Sequence, residues 1–167
     1  QHYYSEKAPG LAMLASPIYA TYRFLYFTLL PDSFIEKTAG TEEYLTYQVE
    51  QNNQVEFKTP FNPGFFILSS QLLLIGATSS LFSALTALLV YKILLHFGFS
   101  KKQSVLTTFL YALGTLAFPY ASIFMNHATS TFFTFLSFYL LVKARGGKTQ
   151  YMLPAGIVVG FAVTVDY

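Results

Sequence analysis

Cysteine is missing from the 167 residues and charge is scarce, at 11% of the chain. Without cysteine there is no disulfide framework, no zinc knuckle and no thiol nucleophile. Soluble domains usually carry about 25% Asp, Glu, Lys and Arg, so the lack of charge is the more informative deficit. It is also uneven. No acidic or basic side chain lies between Lys58 and Lys92, and His127 alone interrupts the stretch from Lys102 to Lys143. A net charge of +2 gives no reason to expect nucleic acid as a partner. No initiator methionine, charged leader or cleavage site precedes Gln1, and the chain closes on the apolar "TVDY". It is therefore expected to be a fragment of a longer protein.

What is present is oil: 53% of residues are hydrophobic and 19% aromatic. Uncharged runs beyond about 18 residues read as membrane-spanning helices. The expected fold is all-α, a polytopic transmembrane bundle with an outer interfacial helix and an extracytoplasmic loop. Four spans are expected at about 66–97, 103–122, 127–143 and 151–166 within a bundle covering 64–167. Pro119 is expected to end or kink the second, and Pro154 falls in the first turn of the fourth, where a missing N–H costs least.

The loops set the orientation. "KILLHFGFSKK" and "KARGGK" hold six Lys and Arg with no Asp or Glu, while seven of the eight acidic residues fall in 1–58 and the eighth is Asp166. By the positive-inside bias, the basic loops are cytoplasmic and residues 1–63 are extracytoplasmic, in a multi-pass protein of the cytoplasmic membrane. The segment "LAMLASPIYATYRFLYFTLL" carries Pro17 and Arg23. Were it to cross, both basic loops would face outward, so about 11–29 is expected to lie along the outer interface with Tyr19, Tyr22, Tyr26 and Arg23 at headgroup level. Within 31–63, "YLTYQV" and "QVEFK" around "QNN" suggest a short hairpin.

This topology collects Glu6, Lys7, Asn126, His127 and Asp166 at the outer face. Each has an ordinary explanation: Glu6 and Lys7 as a solvated pair, Asn126 as a helix N-cap, His127 as an interfacial histidine, Asp166 as the point where a helix meets water. Their convergence is more telling than any one of them. Pro9 and Gly10 turn the chain just after Lys7, at the depth of a lipid phosphate, and the free N–H groups of the helix starting near Asn126 point into the same layer.

"HYYSEKAPGLAML", residues 2–14, resembles the first-loop signature of the GT-C membrane glycosyltransferases, the superfamily of the protein O-mannosyltransferases and the lipid A aminoarabinose transferase. "LGTLAFPYASIFMNHATSTFFTFLSFYLL" and "GFAVTVDY" are similar to the same relatives. The resemblance implies a polyprenyl-phosphate-linked sugar as donor and transfer on the outer side of the membrane to a lipid, glycan or protein acceptor. Lys7 matches the lysine that contacts the donor phosphate. Glu6 matches an acidic residue able to join a metal site, and His127 stands where relatives place Asp or His, so Glu6 and His127 are the candidate ligands of a divalent metal ion. The family's catalytic carboxylate normally precedes this motif and is expected to be missing here, which leaves the catalytic base unassigned.

The chemistry is consistent on its own terms. Breaking a sugar–phosphate bond builds negative charge on the leaving phosphate, which needs a cation, and the acceptor needs a base. The alternative is a non-enzymatic transporter of a lipid phosphate or ion, with Lys7, His127 and Asp166 along its path. That reading calls for broken helices near the midplane and a second similar half, neither of which is expected from the sequence.

Overall fold

The computed structural model describes residues 9–38, 48–49, 55–56 and 64–166. They are all-α apart from one minimal ladder. Helix α1 spans Gly10–Leu29 and α2 Asp32–Thr38; strands β1 (Gln48–Val49) and β2 (Val55–Glu56) pair antiparallel with Gln48 opposite Glu56, as the hairpin pattern suggests. Helix α3 (Phe65–Ile75), a π-helical segment (Gly76–Ser80) and α4 (Leu81–His96) follow without a break. Then come α5 (Lys101–Gly114), α6 (Ala117–Ala121), α7 (Asn126–Arg145), a 3-10 turn (Thr149–Tyr151) and α8 (Met152–Asp166).

The run Phe65–His96 has a mean hydropathy of 2.0 and is the one described helix long and apolar enough, by length and composition, to cross a membrane. At about 1.5 Å per residue it reaches roughly 48 Å, beyond the ~30 Å of a hydrocarbon core. Burial is inverted relative to a soluble protein. Leu72, Leu106, Leu153 and Ile157 are exposed, whereas Thr78, Ser79, Ser104 and Thr129 are wholly buried. Exposed apolar area on this scale wants an apolar solvent, and small hydroxyl residues inside let helices approach closely.

The chain divides into two compact units, Ala20–Leu72 and the combination of Gln1–Tyr19 with Leu73–Tyr167. In the first, aromatic rings make the core. Tyr22 stacks on Phe66 at 5.6 Å, Tyr26 meets the same ring edge-on at 4.9 Å, and Tyr22 and Ser69 share a hydrogen bond of 2.5 Å. Two of the tyrosines expected at headgroup level are thus spent on packing.

In the second unit α4 and α7 run parallel and α8 antiparallel to α7. Phe82 at the start of α4 touches Phe132 and Phe133 early in α7, Phe133 meets Phe161, and the Ser137 hydroxyl donates to the Ala155 carbonyl at 2.9 Å. The loops after α4 and α7 therefore share one end of the bundle, and both end their helices with a left-handed glycine, Gly98 at φ 86° and Gly147 at φ 90°. At the first, the Phe99 and Gly98 N–H groups donate back to Leu94 and Leu95, closing the α4 carbonyls. Ser100 then caps α5 in a reciprocal box with Gln103.

The stretch expected as one helix over 103–122 is two. Pro119 does not break it: it sits in the first turn of α6, where no N–H is required. The break is at Thr115, whose backbone is extended at φ −124°, ψ 179°. Its hydroxyl donates to the Tyr111 carbonyl at 2.7 Å and accepts from the Ala117 N–H at 3.2 Å, closing α5 and opening α6. The interruption expected at Pro119 is therefore present four residues earlier, at Thr115. With α5 rising about 1.5 Å per residue, the break lies roughly 21 Å from the basic end, past the middle of the bundle.

Candidate functional site

The end of the bundle opposite the basic loops gathers the polar residues. Helix α7 begins there, with Met125 as its N-cap in extended conformation and no side-chain cap. Asn126 is thus not the cap expected of it. Its amide Nδ2 donates instead to Asp166 Oδ1 at 2.8 Å, across forty residues of sequence, because α8 returns antiparallel and sets its last turn beside the first turn of α7. His127 Nδ1 lies 3.2 Å from the same Oδ1. The Asn126 amide is the hydrogen-bond donor to Asp166, and the imidazole stands beside the same oxygen in a close polar contact. The His127 ring is in turn met edge-on by Tyr120 at 5.3 Å. Asp166 is about one-third exposed and its Oδ1 accepts from Asn126, so it is a held carboxylate and not merely a helix end reaching water.

Helix α1 enters this same end. A Cβ on Gly10 would lie 2.5 Å from the Thr164 carbonyl oxygen and 2.8 Å from Val165 Cα, both backbone atoms of α8. Only glycine allows that approach. The turn at Pro9–Gly10 is thereby anchored beside the segment that ends in Asp166. Glu6 and Lys7, the other expected site residues, lie outside the described residues. Among the described residues no three His, Cys, Asp or Glu side chains come together. His127 and Asp166 are two such groups engaged with each other, so the described part of the site does not on its own form a metal-binding set.

Next to His127 a cleft of ≈ 220 Å³ opens between α4, α5, α6 and α7. Ser83 and Thr86 come from α4, Tyr111 and Thr115 from the end of α5, Tyr120 from α6 and Thr131 from α7. None of these was singled out by the sequence reading. The signal available was spacing: Tyr111 with Thr115, and His127 with Thr131, repeat at one helical turn inside otherwise apolar runs.

No curated protein and no solved structure matches the chain. The family model described as dolichyl-phosphate-mannose-protein mannosyltransferase matches residues 53–167. That region holds α3 to α8, with the cleft, Asn126, His127 and Asp166, and it leaves out residues 2–14, which carry the resemblance read from the sequence. A membrane-type inversion of burial and a polar cluster closing one end of the helical bundle accord with such a match, which covers more than half of the chain: it belongs to the dolichyl-phosphate-mannose-protein mannosyltransferase family of membrane glycosyltransferases.

Proposed function

We propose that this chain is part of a multi-pass transferase that takes a mannosyl group from a polyprenyl-phosphate donor and passes it to an acceptor at the outer face of the cytoplasmic membrane. The observation that carries the reading is the meeting of two sequence-distant parts at one end of the bundle. The Pro9–Gly10 turn packs on α8, and the Asn126, His127 and Asp166 side chains meet in one polar cluster. Lys7 precedes Gly10 by three residues in the sequence.

In this reading Lys7 neutralises the donor phosphate as the sugar leaves, an interaction that strengthens as negative charge builds on the leaving group. Asp166, oriented by Asn126 and His127, lines the site with Glu6. No step passes through a metal ion, and the base for the acceptor is left unassigned. The six basic residues of the two loops at the opposite end favour a cytoplasmic placement of that end. Helix α7, at 20 residues, and α8, at 15, are taken as further crossings, with α1 along the outer interface.

The test is Lys7→Ala in the full-length protein. Loss of a charge-assisted contact worth about 1.5–3 kcal/mol lowers transfer by about one to two decades, with expression unchanged. An exposed Lys7–Glu6 pair contributes only ~0–1 kcal/mol, so wild-type transfer by a well-expressed Lys7→Ala protein would refute the phosphate role, whereas absence of transfer by the wild-type protein would favour the transporter alternative.

A further inference from the structure

We infer that the cleft between α4, α5, α6 and α7 is a compartment for a neutral polyhydroxylated ring, the hexosyl group of the transferred sugar. The inference rests on the transferase reading and assigns that site a sugar-holding wall made of residues distinct from Lys7.

The chemistry of the lining selects the occupant by exclusion first. No Lys or Arg borders the cleft, so it does not suit a phosphate; no Asp or Glu borders it, so it does not suit a cation. Four aliphatic hydroxyls, two phenols and the His127 imidazole stand among Leu116, Ala117 and Ala128, a mixed lining that suits a ring with both hydroxyls and C–H faces. Size narrows the choice further. Pockets for drug-sized ligands run to about 300–1,000 Å³, and at ≈ 220 Å³ this cleft takes a single ring.

Hydrogen-bonding capacity then fits a polyol. Thr115 spends its proton on the Tyr111 carbonyl at 2.7 Å and accepts from the Ala117 N–H at 3.2 Å, which leaves its oxygen one lone pair, and Ser83 and Thr131 add further hydroxyls. The phenols of Tyr111 and Tyr120 both donate and accept. A sugar hydroxyl does both as well, and a wall that mixes acceptors with amphoteric groups satisfies several hydroxyls at once. Placement completes the argument. His127 borders the cleft with its ring and stands beside Asp166 with Nδ1, so a ring seated there lies one residue away from the carboxylate that ends α8.

The experiment uses the full-length protein in nanodiscs with methyl α-mannopyranoside as the probe and saturation-transfer NMR as the readout. Wild type is expected to bind the glycoside. Thr131→Leu, which fills the cleft, is expected to weaken binding at least tenfold, and Thr131→Val, which keeps the volume but removes the hydroxyl, several-fold. Lys7→Ala is expected to leave glycoside binding unchanged while reducing transfer. Wild-type binding by folded Thr131→Leu, or by Thr131→Val should the leucine variant fail to fold, overturns the assignment, as does absence of binding by wild type. The two readings fail separately. Glycoside binding that depends on Thr131 without any mannosyl transfer sinks the transferase reading and keeps the cleft, whereas Lys7-dependent transfer with glycoside binding indifferent to Thr131 does the reverse.

Discussion

Gly10→Ala is the sharpest perturbation available, because the atoms it strikes cannot rotate away. The new methyl would sit 2.5 Å from the Thr164 oxygen and 2.8 Å from both the Thr164 carbon and Val165 Cα, all of them backbone. Restoring an ordinary contact near 3.5 Å separates α1 from α8 by about 0.7–1.0 Å. Overpacking of this kind costs about 1–3 kcal/mol. The larger effect is functional, since the displaced turn carries Glu6 and Lys7, and a misplacement of ~1 Å costs about 10²-fold in a reaction that depends on alignment. The assay is mannosyl transfer from a polyprenyl-phosphate donor, with thermal stability of the same preparation measured beside it. Gly160→Ala is the control: it lies one turn earlier on α8, and its Cβ would meet nothing within 4 Å. It should transfer like wild type. Wild-type transfer and stability in Gly10→Ala would show that α1 does not dock on α8 as described.

Asn126→Ala removes the hydrogen-bond donor to Asp166 Oδ1 and is expected to lower transfer about tenfold or more, on a charged hydrogen bond of ~1.5–3 kcal/mol; Asn126→Asp, which sets two carboxylates against each other, should be worse than alanine, and equality with wild type would deny the cluster a role. Ser137→Ala should cost only about 0.6 kcal/mol, as interhelical hydrogen bonds in membranes do, while Ser137→Leu at the same buried contact should destabilise the α7–α8 pair far more, as read by thermal unfolding. Orientation is checked with single cysteines in this cysteine-free chain at Thr41 and Lys148, labelled by an impermeant thiol reagent in intact cells; only Thr41 should react. Lys148 is a better position than its neighbour Gly147, whose φ of 90° would strain any side chain.

The helices were legible because they are composition effects. Uncharged runs, basic loops and a glycine after both α4 and α7 are visible without knowing what packs on what. The break at Thr115 was not, since Pro119 is the stronger local punctuation and only the structure shows it placed harmlessly in a first turn. Asn126, His127 and Asp166 could be assigned to one face from the sequence, but not seen to touch. Asn126 looks like an N-cap from its neighbours, and its bond to Asp166 depends on α8 returning to the same end forty residues later. The cleft was missed for a related reason: serines and threonines in apolar helices bond to their own backbone so readily that no single one stands out.

Those hydroxyls also explain how an interrupted helix is tolerated at this depth. Ending α5 and starting a five-residue α6 frees carbonyls that cost several kcal/mol each in hydrocarbon, in the range of ~4–8 kcal/mol for an amide with no partner. The π-helical segment and the first turn of α4 lie alongside. Ser80 donates to the Ala121 carbonyl at 2.7 Å, Ser79 to Met125 at 3.3 Å, and Ser83 makes a long contact of 3.5 Å to Ala117. A π turn bonds i to i+5 and so carries more residues than an α turn, which shifts the phase of the helix after it. The serine-rich "GATSSLFS" thus supplies partners to carbonyls of α6 and of the residue before α7, on the side of the bundle where the cleft beside His127 lies, while Thr115 itself serves the Tyr111 carbonyl at the break.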